Sequence, residues 1–261
     1  MNAVNLELTY IGGPTLVLEL GGIRLLTDPT FDPAGGVFRA PLYELRKTLG
    51  PAVSAADLGK IDVVLLSHDH HYDNLDTAGR ELLANAGTVL TTQAGAGRLG
   101  GNARGIGNWE SIELPTSESG RLTITGTPAR HGPPDGDRGP VTGFVLVWSP
   151  APERAIYVSG DTVWCEGVAA VSRRFPVHLA ILFLGAARLP AVGPSHLTMT
   201  AEDALHAADA FPKATIVPVH HEGWAHFSQS RADIARAFAG AGLEHRLRWL
   251  DPGRRTPLLL A

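Results

Sequence analysis

Residues 65–76 read LLSHDHHYDNLD, three histidines and three aspartates behind a short apolar run. Imidazole and carboxylate side chains together suit zinc, and also iron or manganese. Two histidines at i and i+2 converge on one ion when the backbone turns between them. A polar turn with a capping residue accounts for Asp73 or Asp76 alone, but not for three histidines within four positions. Metal-capable residues recur elsewhere in the same setting. His131 follows RLTITGTPA, Asp161 follows RAIYVS, and His220 and His221 follow TIVPV. Four β-rich runs thus end in such a residue, and strand ends on one edge of a layered fold meet in space however far apart they are in sequence.

The elements that must position these side chains are legible in outline. LELTY, TLVLEL and IRLLTD, within residues 6–28, are β-rich runs punctuated by GGP and GG, which predicts an antiparallel meander. Residues 29–51 carry Pro and Gly with little periodicity and read as a long loop. DVVLLS (62–67) is nearly continuous in apolar residues, as in a strand covered on both faces. NLDTAGRELLANAG (74–87) has helical spacing, with Asp73 as its N-cap. His68 to Asp73 therefore fall on a strand-to-helix turn at a strand's carboxyl end, the usual place for sites on α/β sheets. TVLTT, SIELP, RLTITGTPA, TGFVLVWS, RAIYVSGD, VHLAILFL and ATIVPVHH predict strands. EGVAAVSRRF, TAEDALHAADAFP and SRADIARAFAGAG predict helices, the second opened by a Thr200–Asp203 capping box. GGNARGIG (100–107) reads as a loop, and HRLRWLDPG closes the chain. Strands, then strand–helix units, then the same again, describe two similar halves, each a sheet with helices outside. That is a layered α/β sandwich with one shared core, a single domain over residues 1–261.

Composition narrows the function. The chain carries 22 basic and 26 acidic residues, a net charge of −4, with no basic block, which argues against a nucleic-acid backbone as partner. Cys165 is the single cysteine, so an intrachain disulfide and Cys-rich zinc sites are excluded, and Cys165 reads as a small buried hydrophobe. There is no basic start with a long apolar run at the N-terminus and no apolar stretch of ~18 residues, so a cytoplasmic protein without a membrane span is expected. A small-molecule substrate is the expected partner; a homo-oligomer stays open.

With these residues in view, the chain resembles the metallo-β-lactamase-fold hydrolases from about Leu6 to Trp249. It is most similar to the branch with L-ascorbate-6-phosphate lactonase and N-acyl-phosphatidylethanolamine phospholipase D. LTYIGGPTLVLELGGIRLLTDPTF, LLSHDHHYDNLD, TPARHGP, YVSGDT, HLTMTAEDA and VPVHHEGWAHF carry the resemblance, in order. It implies a four-layer αββα sandwich and one or two divalent metal ions, zinc first, with manganese or iron as alternatives. The family pattern His-x-His-x-Asp-His is not matched as it stands. Counted from His68, the histidines are His68 and His70, followed by Tyr72 and Asp73; counted back from Asp73–Asn74, the pair is Asp69 and His71, and Asn74 replaces the last His. The favoured alignment takes His68 and His70 as ligands and bulges the loop at His71, which either fills the missing ligand's place or faces solvent. Gly13 stands where relatives often have a His.

Carried over by position, the resemblance implies that His68, His70 and His131 hold a first ion, and Asp73 and His220 a second, with Asp161 bridging. It further implies that water activated by the ions attacks a small ester, lactone or phosphodiester, with Asp73 orienting it and accepting its proton. His196, in the loop of GPSHLTMTAEDA, is a candidate acid or oxyanion contact, or else a loop histidine bonded to backbone. Asp28 and Asp69 are candidates to orient the ligand imidazoles. His221, Trp224 and His226 lie near His220 as candidates to line the pocket, with a structural role favoured for Trp224; His178 reads as a core or edge residue, His206 and His245 as surface positions. Two other functions compete: a nuclease on RNA or DNA, and a metal-binding or ligand-sensing module whose second site has decayed.

Overall fold

The structure, a computed structural model, describes residues 4–116, 120–134 and 138–260. The remaining positions of the 1–261 span lie outside the described residues. In chain order the elements are β1 (Val4–Gly12), β2 (Thr15–Leu20), β3 (Ile23–Thr27), β4 (Val37–Arg39), β5 (Glu44–Arg46), β6 (Val63–Leu65), α1 (Thr77–Leu83), β7 (Thr88–Thr91), α2 (Gln93–Leu99) and β8 (Ala103–Gly105). They continue as β9 (Ser111–Pro115), β10 (Arg121–Pro128), β11 (Thr142–Trp148), β12 (Ala155–Val158), α3 (Glu166–Arg174), β13 (Val177–Phe183), α4 (Ala201–Ala210), β14 (Thr215–Val219), α5 (Arg231–Gly240) and β15 (Arg255–Leu260).

Two sheets result, of order β15-β1-β2-β3-β6-β7-β8 and β14-β13-β12-β11-β10-β9. Strand alternation explains how they stack. Leu6, Leu8, Leu16, Leu18, Leu25, Val63 and Leu65 of the first sheet face Ile124, Phe144, Ile156, Leu179, Ile181 and Val217 of the second, forming the central core. The opposite faces are also apolar. Val17, Leu26, Val64 and Val89 pack under Leu83 of α1 and the one-turn helix Ala55–Leu58. Tyr157, Ala180 and Leu182 pack under Val168 of α3, Ala204 of α4 and Ile234 of α5. Helix, sheet, sheet, helix is the αββα sandwich, and near-continuous apolar runs such as Val63–Leu65 and Leu179–Phe183 follow from having both faces covered. The capping box at Thr200 and Asp203 is formed as expected. Among the described residues no helix is long and apolar enough to cross a membrane.

Four expectations need correction. Residues 29–51 contain the β4–β5 hairpin, whose three-residue strands pair with each other and are too short to leave a periodic signal. Residues 100–107 include β8, an edge strand pairing with β7 over three positions, and α2 precedes it with Thr92 as cap. β15 lies beyond HRLRWLDPG and pairs with β1, a long-range contact no local pattern announces. Finally, α1 is capped by Asp76 rather than Asp73: the Asp76 side chain accepts from the Gly79 backbone N–H. That shift of three residues leaves Asp73 outside the helix and available to the cleft.

Candidate metal centre

Topology brings the four strand ends together. β10 runs antiparallel to β11, and β11 to β12, while β12, β13 and β14 are parallel. β10, β12 and β14 therefore point the same way, and His131, Asp161 and His220 emerge at one edge. β6 of the other sheet delivers Ser67 and His68 to the same edge, where the Thr142 N–H donates to the Ser67 carbonyl at 3.1 Å and links the sheets. The approach is close: a Cβ on Gly160 would lie 2.6 Å from the Ser67 Cβ and 2.7 Å from the Thr142 carbonyl, and φ there is +60°. Only glycine fits both demands.

Three imidazoles form a triangle. His71 Nδ1 lies 2.9 Å from His68 Nε2 and 3.0 Å from His131 Nε2. The far nitrogens are occupied. His131 Nδ1 donates to the Leu197 carbonyl at 2.8 Å, which fixes the tautomer and leaves Nε2 a bare lone pair. His68 Nδ1 meets the Ser67 hydroxyl at 2.9 Å, and the Ser67 N–H is itself held by Asp28 Oδ1 at 2.7 Å. Asp28 thus acts through Ser67, as an orienting group. His70, favoured over His71 from the sequence, points elsewhere: its Nε2 donates to the Arg138 carbonyl at 2.8 Å. One of its ring nitrogens still lies within 4.8 Å of those of His68 and His71. The extra residue in the loop is therefore taken up before His71. Asp69 neither faces solvent nor joins the cluster; Arg98 of α2 grips both its oxygens.

Beside the triangle lies a second set, Asp73, Asp161 and His220. A His220 nitrogen is 2.8 Å from Asp161 Oδ1, its other nitrogen is 3.5 Å from Asp73 Oδ2, and Asp161 Oδ2 is 3.8 Å from His131 Nε2. Asp161 therefore stands between the two sets. His226, read from the sequence as a candidate pocket-lining residue near His220, brings its Nε2 to 3.0 Å from Asp73 Oδ2. His220 holds φ +55°, a costly turn for a non-glycine residue, and Gly185 leaves room for its carbonyl.

The donors fit a cation. Asp161 and His220 are essentially buried, yet among the described residues neither carboxylate oxygen and neither ring nitrogen has a partner in hydrogen-bond geometry. Lone pairs this close that do not pair with one another converge on a common point, and buried groups of this kind are expensive unless something occupies it. Electrostatics agree. Burial draws the His220 imidazole down, but Asp161 and Asp73 outweigh it and push it up to about 10, so a positive charge belongs there. Burial and the neighbouring His131 pull His71 down to about 3, which keeps it a neutral donor. His68 is likewise lowered, by burial and then by His71 and His131. Neutral nitrogens beside carboxylates are the ligand set of zinc, iron or manganese.

The centre floors a cleft lined by His71, Asp73, His131 and His226. Its walls are Tyr43 and Leu45 from the β4–β5 hairpin, and Arg138, Leu189, Val192 and Leu197 from facing loops. His196 is not among the lining residues, although its neighbour Leu197 is. His221 turns away and stacks on Trp249 at 5.5 Å. Trp224 is buried beside Lys47, whose ammonium lies 5.4 Å from its ring centre.

Comparison with known proteins places this architecture. A family profile described as a beta-lactamase superfamily domain matches residues 23–221. The chain is 24% identical over 248 residues to a UPF0173 metal-dependent hydrolase of Caldivirga maquilingensis, covering 94% of this chain and 95% of that one. It is 26% identical over 175 residues to N-acyl-phosphatidylethanolamine-hydrolyzing phospholipase D 1 of Caenorhabditis elegans, covering 60% of this chain and 47% of the phospholipase. Among solved structures, the isothiocyanate hydrolase from Delia radicum gut bacteria superposes with TM-score 0.81 at 27% identity, covering 97% of this chain and 99% of that one.

Proposed function

Because the chain belongs to the beta-lactamase superfamily and is a metal-dependent hydrolase of it, we propose that His68, His71 and His131 hold one divalent cation, that Asp73, Asp161 and His220 serve a second, and that the substrate is a small ester, lactone or phosphodiester. The convergence of ring nitrogens of His68, His71, His131 and His220 with carboxylate oxygens of Asp73 and Asp161, of which His71, Asp73 and His131 line the cleft, carries this proposal. Zinc is the cation the donor set favours, with manganese or iron next.

When bound, such cations supply Lewis acidity and bring the pKa of a water down from 15.7 to about 7. The chain's own residues do the rest. Asp73, at the cleft wall, orients the attacking water and takes its proton. Ser67 and the Leu197 carbonyl keep His68 and His131 in the tautomer and orientation that aim Nε2 inward. Leu45, Leu189, Val192 and Leu197 seat an apolar body and exclude bulk water, which strengthens every charge interaction at the floor. Arg138 is the cation among the described lining residues, enough for one anionic group and too little for a polynucleotide backbone.

Two relatives weight the choice of substrate. The phospholipase points to a phosphodiester, of which this chain spans about half the enzyme's length. The isothiocyanate hydrolase is matched along nearly its whole length, and a small apolar cleft favours a compact carbon electrophile as a second reading. Purified protein, stripped and reloaded with zinc, should be assayed against bis(p-nitrophenyl) phosphate, a p-nitrophenyl ester, a γ-lactone and an aryl isothiocyanate. Metal-dependent turnover of one of them, abolished in Asp161→Ala, is expected. Two bound ions with no turnover of any would leave a metal-binding or sensing module in its place.

A further inference from the structure

We propose that His226 completes the second cation site, in the position that Asn74 leaves without an imidazole. This rests on the metal-dependent function above and adds a ligand to it.

Two observations meet here. The first is a vacancy of chemistry at position 74. The Asn74 side chain follows Asp73 directly, is fully buried, and has no hydrogen-bond partner among the described residues for either its oxygen or its amide nitrogen. A buried amide with both ends unpaired is costly and orders nothing. As a neutral oxygen donor it is also a poor match for an ion that prefers imidazole. The second is an imidazole delivered from elsewhere. His226 Nε2 stands 3.0 Å from Asp73 Oδ2, and a His220 nitrogen stands 3.5 Å from the same oxygen. One carboxylate oxygen thus lies between two buried imidazoles, with Asp161 on the far side of His220. The Nδ1 of His226 has no hydrogen-bond partner among the described residues, so the polar contact of this ring is the one to Asp73, with Phe227 packed beside it at 4.7 Å between ring centres.

The backbone explains why His226 can take the post. After β14 the chain reverses at His220 and again at Gly223, whose φ is +89°. The segment is then pinned on both sides. The Thr48 N–H donates to the Gly223 carbonyl at 2.8 Å, the Ala225 N–H to Arg46 at 3.0 Å, and the Arg188 N–H to the His226 carbonyl at 2.9 Å. A ligand borrowed from six residues beyond His220 is therefore held by the β4–β5 hairpin and the loop at Arg188, not by the α1 turn that carries Asp73. Joined to Asp73, Asp161 and His220 through the shared Asp73 oxygen, His226 would bring the donors to two carboxylates and two imidazoles, the number a tetrahedral ion takes.

The test is metal stoichiometry on the full chain. Stripped protein is titrated with zinc by calorimetry, and with cobalt while its visible d–d absorption is followed; bound metal is counted after dialysis. Wild type should take two ions. His226→Ala should keep the first and bind the second roughly 100-fold more weakly or not at all, with the cobalt spectrum losing its second component. Asn74→Ala should still take two. Adding Asn74→His to His226→Ala should restore the second ion, which a merely structural role for His226 would not allow. If His226→Ala does not fold, His226→Gln is measured instead. A wild type that holds one ion, or a His226→Ala chain that still binds two with unchanged affinity, overturns the proposal while leaving the hydrolase reading in place. A wild type that holds none sinks both.

Discussion

Replacing His70 and His71 one at a time tests where the inserted residue of the LLSHDHHYDNLD loop is absorbed. His71 Nδ1 sits 2.9 and 3.0 Å from two other ring nitrogens, so His71→Ala removes one corner of the triangle. A four-ligand zinc site is worth about 10–16 kcal/mol, or roughly 3 kcal/mol per ligand, which corresponds to a loss of about 100-fold in affinity. His70 instead donates to the Arg138 carbonyl at 2.8 Å. Losing that bond costs roughly 0.5–1.5 kcal/mol of stability and, as an outer contact, roughly tenfold or less in zinc affinity. Zinc competition against a chelating dye measures both variants, with urea melts as the control for folding. The expected order is wild type, then His70→Ala, then His71→Ala, the last two separated by about tenfold or more. A reversed order would refute the triangle and return the ligand role to His70.

Other consequences follow from the same contacts. Asp76 is fully buried and accepts from the Phe31, Asp32 and Gly79 N–H groups and from the buried Lys47 ammonium, at 2.7–2.9 Å; Asp76→Asn should lower the urea-unfolding free energy by about 3–5 kcal/mol, and a loss below about 1 kcal/mol would contradict that role. Gly79→Ala places a Cβ 1.9 Å from the Pro29 carbonyl oxygen, so it should destabilise by about 1–3 kcal/mol although alanine is the better helix former; a gain in thermal midpoint would speak against the packing. In the metal-free chain, His220 titrates at about 10, above its unfolded value, so its contribution is complete below about pH 6.5 and disappears as pH rises through about 10. A cation must displace that proton, so zinc affinity should rise by about tenfold per pH unit from pH 7 to 9; a flat profile by calorimetry would exclude His220 as a ligand.

Much of the fold was legible because local pattern and burial agree. The meander of β1 to β3, the buried runs at β6 and β13, and the capping box of α4 all stand where apolar spacing and capping chemistry put them. What escaped was short or long-range: three-residue strands such as β4 and β8 carry no period, and β15 exists because β1 offers it an edge. The α1 boundary slipped because Asp73 and Asp76 are equally good caps in sequence, and the choice is made by Phe31, Asp32 and Lys47, which arrive from far along the chain.

The candidate centre divides along the same line. Residue type and strand-end position alone marked His68, His131, Asp161 and His220, since metal chemistry demands imidazole and carboxylate and strand ends are where sheets present them. No spacing could choose between His70 and His71, or pair Asn74 with His226 across 152 positions. A ligand is selected by where a nitrogen lone pair points, and that direction is set by the Leu197 carbonyl, the Ser67 hydroxyl, the Arg138 carbonyl and the strands of both sheets, which meet only once the chain has folded.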